Sequence, residues 1–280
     1  MTTTGPAALS LCLQRCGTPL QFPDPDSIGR AIRMSMPEPI HLVVLCLVGM
    51  VAGGVGGVVG FGSAILLLPA CNAVFGAEPS VGILTIAALI GNLSRVALWY
   101  RQVEWVVVWR YWLGGIPLAI AGSFCLSKID SRLLPALFGG FILALIPVRR
   151  WLERRERRMP LSLFPALGAI MGFLSAVVST TGPLNAPAFL SYGLIRGAYL
   201  STEALSTAGI HLTKSLAYRR FELLSADGIV VGLALGGCML IGTVLVKPLV
   251  ERLEPRRFVL VVEVLLANSG LAMIAQAIWP

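Results

Sequence analysis

The residues best equipped for chemistry form one unbroken stretch, Ser179-Thr180-Thr181-Gly182-Pro183-Leu184-Asn185-Ala186-Pro187, with apolar helix-length runs on both sides. Pro183 has no backbone N–H and clashes with the preceding helical turn. Gly182 reaches backbone angles that other residues avoid. The spacing predicts a helix that stops near Ser179 and restarts near Pro183, where proline fits a first turn. A restarted helix offers backbone N–H groups and a partial positive charge at its N-terminus. The hydroxyls of Ser179, Thr180 and Thr181 gather at that point, and the Asn185 amide follows one turn later. A break at membrane depth survives only when buried in protein or lining a cavity. Together these features describe an anion site within a membrane, as in transporters built from discontinuous helices. The competing reading is a kinked helix whose Ser and Thr side chains satisfy the freed carbonyls.

Other polar residues sit in apolar surroundings and could join such a site. Gly62 and Ser63 belong to a second plausible break, Gly60-Phe61-Gly62-Ser63. Asn92 and Arg95 lie in one apolar run, and His211 and Lys214 in another. Charges within membrane segments are costly and usually face a cavity. Near a helix end, long basic side chains can also snorkel to the interface. Lys214 is expected to contribute more to anion binding than Arg95. His211 could hydrogen-bond an oxyanion or relay a proton, or simply join two helices. Glu263 stands mid-span in the last apolar run, where proton coupling and a structural ion pair are both open.

The elements that must position these residues are membrane helices. Of 280 residues, 56% are hydrophobic and 13% charged, and the mean hydropathy is +0.82. Soluble domains carry about twice that share of charge. The fold class is all-α, a polytopic helical membrane protein. Continuous apolar runs argue against a β-barrel. The net charge of +8 comes from Arg and Lys in short loops, which suits topology signals rather than nucleic acid. Cys46, Cys71, Cys125 and Cys238 fall in apolar runs as small hydrophobes. Cys12 and Cys16 lack the partners of a zinc site, so neither metal nor cofactor is expected.

Residues 1–36 read as a polar leader, expected to be disordered. It lacks a signal-peptide core and cleavage site, and translation starting at Met34 or Met36 would leave it out. Residues 37–148 form a first membrane repeat. Its spans are expected at about 40–59, 80–100, 105–126 and 132–148, with a short apolar run to Phe75 and a turn at Gly76-Ala77-Glu78-Pro79. Gly49, Gly53 and Gly57 recur every four residues, a pattern that lets another helix approach backbone to backbone. Trp99, Tyr100, Trp105, Trp109, Tyr111 and Trp112 resemble an aromatic belt. Residues 149–160, with six Arg, form a basic linker assigned to the cytoplasm by the positive-inside rule.

Residues 161–280 repeat the first half. Gly168, Gly172 and Ala176 lie 119 positions after Gly49, Gly53 and Gly57. The same offset carries Asn92-Leu93-Ser94-Arg95 onto His211-Leu212-Thr213-Lys214, Trp99 onto Tyr218 and Arg101 onto Arg220. Gly62-Ser63 falls opposite Thr181-Gly182. One offset linking separated features indicates tandem duplication. Each unit has about four to five hydrophobic segments, including a broken or re-entrant pair. An odd number of crossings makes the two repeats inverted. The loop carrying Lys247, Arg252, Arg256 and Arg257 then falls inside, while Arg219 and Arg220 fall outside, against the charge rule.

The broken Gly-rich segments GGVGGVVGFGSAILLLPA and GFLSAVVSTTGPLNAPAFLSYGL, followed by GNLSRVALWY and GIHLTKSLAYRR, resemble the sulfite exporter TauE/SafE family of bacterial membrane permeases. The resemblance covers about residues 40–278. Ser63 and Ser179-Thr180-Thr181 stand where the family is usually richer in glycine. The resemblance implies a multi-pass protein of the bacterial inner (plasma) membrane that moves small sulfur-containing anions such as sulfite or sulfonates. It adds a substrate class to the anion site between inverted repeats. The alternative is a membrane-embedded enzyme or structural subunit using the same cavity, although no catalytic motif is present. Expected partners are the small anion and the bilayer. A coupling proton or sodium ion and homo-oligomerisation stay open.

Overall fold

A computed structural model describes residues 39–59, 63–153, 158–179, 181–250 and Leu271. The leader, Gly62, Thr180, Arg252, Arg256, Arg257 and Glu263 lie outside the described residues, as does the middle of the basic linker. The described chain folds into nine α-helices without a strand. They are α1 (Pro39–Val59), α2 (Ser63–Phe75), α3 (Ala77–Trp99), α4 (Trp105–Leu126) and α5 (Leu134–Glu153), then α6 (Phe164–Val178), α7 (Gly182–Tyr192), α8 (Arg196–Arg220) and α9 (Ala226–Val250).

Among the described residues, five stretches are long and apolar enough to cross a membrane: Pro39–Gly57, Ala77–Gln102, Trp105–Leu126, Leu161–Val178 and Ala226–Leu245. The outward faces of three of these helices are greasy. Ile40, Val43, Val44, Leu47 and Val51 are exposed on α1, Trp105, Trp109, Leu113, Ile120 and Phe124 on α4, and Val230, Leu233, Leu240, Ile241 and Val244 on α9. The interior holds Asn92, Arg95, Asn185, Glu203, His211 and Lys214. Apolar outside and polar within is the arrangement a lipid solvent selects.

Two sequence expectations change in the structure. The turn at Gly76–Pro79 shrinks to Gly76 alone, at φ 81°. Ala77, Glu78 and Pro79 already belong to the first turn of α3, where a proline sacrifices no helical hydrogen bond. The aromatic cluster also divides. Trp105 and Trp109 are exposed, whereas Tyr111 is buried. Helical periodicity puts positions 105, 109 and 113 on one face and 107, 108 and 111 on another.

Helix α1 packs on α9, and α4 packs on α6; α3 meets α8 and α9, and α4 also meets α8. The first long helix of each half therefore lies against the fourth helix of the other half. Both seams run backbone to backbone. A Cβ at Gly53 would strike the Met239 carbonyl, and one at Gly168 the Tyr111 carbonyl. Helix boundaries recur at the 119-residue offset: Val59 and Val178 end α1 and α6, Ser63 and Gly182 begin α2 and α7, and Ala77 and Arg196 begin α3 and α8.

Candidate functional site

The interruption between α6 and α7 falls where glycine and proline dictate. Helix α6 ends at Val178, and Ser179 caps it in the left-handed region at φ 65°, its N–H donating to the Ser175 carbonyl at 3.0 Å. Thr181 stands at the N-cap position of α7, and Gly182 and Pro183 open the helix. The Thr181 carbonyl accepts from the Leu184 and Asn185 N–H groups at 3.0 and 3.2 Å.

The last carbonyls of a helix have no partners within it, and in a membrane that deficit must be met by protein. Helix α8 meets part of it for α6, at Ala176, and adds a second donor at the Ser175 carbonyl, which the Ser179 N–H already serves. Lys214 Nζ donates to the Ser175 carbonyl at 2.9 Å and to Ser175 Oγ at 3.0 Å. One turn on, Tyr218 Oη donates to the Ala176 carbonyl at 2.5 Å. Lys214 is fully buried, with its amino group at the negative end of a helix dipole. It does not belong to the cavity lining.

The cavity borders Ser175. It is about 50 Å³ and takes Ser63 from α2, Asn92 and Arg95 from α3, Tyr111 from α4, Ser175 and Ser179 at the end of α6, and Thr181 and Gly182 at the start of α7. Helix α8 adds Glu203, Thr207, Ile210 and His211. That volume takes a few waters or one small ion.

An arginine and a glutamate line this space, and they meet. Arg95 Nη1 donates to Glu203 Oε2 at 3.1 Å, while Nη2 donates to Asn92 Oδ1. Glu203 is 2% and Arg95 7% exposed. Asn185 is buried just outside the lining; it accepts from Tyr111 Oη at 3.3 Å and faces Glu203. Two polar atoms on the cavity wall, Ser179 Oγ and His211 Nδ1, are buried without a hydrogen-bond partner among the described residues. Buried polar atoms in native proteins are nearly always paired, with protein or with water, and both of these residues belong to the cavity lining.

Of the residues singled out from sequence, the cavity brings together Ser63, Asn92, Arg95, Ser179, Thr181, Gly182 and His211. Asn185 stands one hydrogen bond away, Lys214 supports the wall, and Gly62 and Thr180 lie outside the described residues. Sequence reasoning missed Glu203, Tyr111, Ser175 and Thr207. A signal for two of them was present: Glu203, Thr207, His211 and Lys214 are spaced four, four and three apart, one stripe along a helix.

Neither the search of curated proteins nor the search of solved structures gave a match. The family model for the sulfite exporter TauE/SafE matches residues 45–273. That span takes in every described helix that lines the cavity, and the chain belongs to this family of membrane transporters.

Proposed function

We propose that the cavity between the helix breaks binds a small sulfur oxyanion or sulfonate, and that the chain carries it across the bacterial inner membrane as a secondary transporter. The observation that carries this reading is a cavity whose lining gathers Ser179, His211 and Arg95, with Ser179 Oγ and His211 Nδ1 buried without a partner among the described residues. A hydroxyl, an imidazole N–H in the appropriate tautomer and a guanidinium are all donors, and an anion with several oxygens satisfies them together. The N-terminus of α7, reached through Thr181 and Gly182, adds a favourable dipole.

The recurrence of helix boundaries 119 residues apart supports two repeats, an odd number of crossings in each would make them inverted, and the linker's arginines support a cytoplasmic position for residues 149–160. Alternating access then exposes the cavity to one side at a time as the packed helices rock.

The test is flux. Purified protein in liposomes loaded with sulfite should release it faster than protein-free liposomes, and Arg95→Ala should abolish the difference. Release at the protein-free rate by well-folded wild-type protein would sink the proposal.

A further inference from the structure

We propose that Glu203 is a proton site, and that a bound anion replaces its carboxylate as the partner of Arg95, so that anion and proton enter the cavity together. This inference rests on the transport reading and adds its coupling ion.

Geometry carries the argument. Arg95 is the cation on the cavity wall among the described residues, and Glu203 already holds it at 3.1 Å. Lys214 cannot serve a guest in this state, because it is bound to the Ser175 carbonyl and hydroxyl. An anion reaching Arg95 therefore meets a carboxylate in the same small space. Two like unit charges about 4 Å apart, at an effective dielectric of about 20, repel by about a thousandfold in affinity. A proton taken from water onto a Glu203 carboxylate oxygen removes that repulsion and frees the guanidinium for the anion. No other bond changes, and the site's net charge is the same with a monovalent anion and proton bound as when empty.

Arg95 from α3, Asn185 from α7 and Tyr111 from α4 are the groups beside Glu203. His211 lies two turns along α8 on the same wall, near Arg95 and Lys214, and is the rival proton acceptor.

The experiment is calorimetry of sulfite binding to full-length purified protein, in buffers of different ionisation enthalpy and across the neutral pH range. Comparing wild type with Glu203→Gln cancels sulfite's own titration. Wild type should take up about one more proton per sulfite than E203Q, and its Kd should rise with pH about tenfold per unit more steeply. His211→Gln should weaken sulfite binding and still take up the wild-type number of protons per sulfite bound. Infrared difference spectra of the wild-type protein give a reading that does not depend on a variant folding: sulfite should bring up a protonated carboxylic-acid band. Equal proton uptake by wild type and E203Q, loss of uptake in H211Q, or no such band would each overturn the assignment. Absence of sulfite binding by folded wild type would overturn the transport reading and this inference with it. Binding without proton linkage would overturn this inference alone.

Discussion

Arg95 on α3 and Lys214 on α8 occupy matching positions in the two halves of the chain, yet their side chains do different work. Lys214 turns toward the end of α6 and satisfies the Ser175 carbonyl. Arg95 reaches across to the other half and holds Glu203. Their surroundings explain the divergence. The position that matches Ser175 is Gly56, and the one that matches Glu203 is Leu84. The second half thus supplies both the broken helix that needs a cationic cap and the carboxylate that engages the first half's cation. The two halves share a pattern of positions at a 119-residue offset, and the polar sequence of α8 makes them unequal. The family reading is unaffected; in the function proposed above Arg95 is the cation that meets the anion, whereas the sequence favoured Lys214.

The largest expected effect tests what the halves still share. Gly53→Leu and Gly168→Leu each drive a side chain into a neighbouring backbone, and each should cost more than about 4 kcal/mol. Recovery of folded protein on a sizing column should collapse for both alike. If one seam tolerates leucine, the two halves differ in packing as well as in polar chemistry.

Next is Arg95→Met, which leaves Glu203 buried without its cation. A loss of about 3–5 kcal/mol is expected, together with loss of sulfite binding. Adding Glu203→Gln should return most of the stability, by thermal melting, without returning the binding. Recovery of affinity in the double variant would remove Arg95 from the anion site.

Lys214→Met should be milder and of another kind. Leaving the Ser175 carbonyl without its charged donor should cost about 1–3 kcal/mol, while sulfite affinity of the folded fraction stays at the wild-type value. Equal loss of affinity in the Lys214 and Arg95 variants would erase the contrast between them. The smallest effect is expected for Tyr218→Phe. It deletes one hydrogen bond, to the Ala176 carbonyl, and should lower stability by about 1 kcal/mol with flux unchanged.

The break at Ser179–Gly182 was legible because glycine and proline act locally, and the seams were legible because small residues at four-residue spacing mark a helix face. The bond from Lys214 to Ser175 spans 39 residues, and that from Arg95 to Glu203 spans 108. No local pattern announces such pairings, so an arginine that snorkels and one that lines a cavity look the same in a linear sequence. Tyr111 was hidden differently: four of its neighbours in the aromatic cluster are tryptophans, and only the helical face separates it from them.

The crossed seams also set a timetable for synthesis. Helix α4 can close on α6 soon after Phe164–Val178 is made, within a few seconds of α4 itself at about 5–20 residues per second. The groove on α1 must wait for α9, which begins at Ala226, a delay on the order of ten seconds. Until then Gly49, Gly53 and Gly57 present a notched backbone to lipid or to a chaperone. A chain halted at Arg220 is therefore expected to be degraded faster than the full-length protein in a pulse-chase, although α1 through α8 have all been translated.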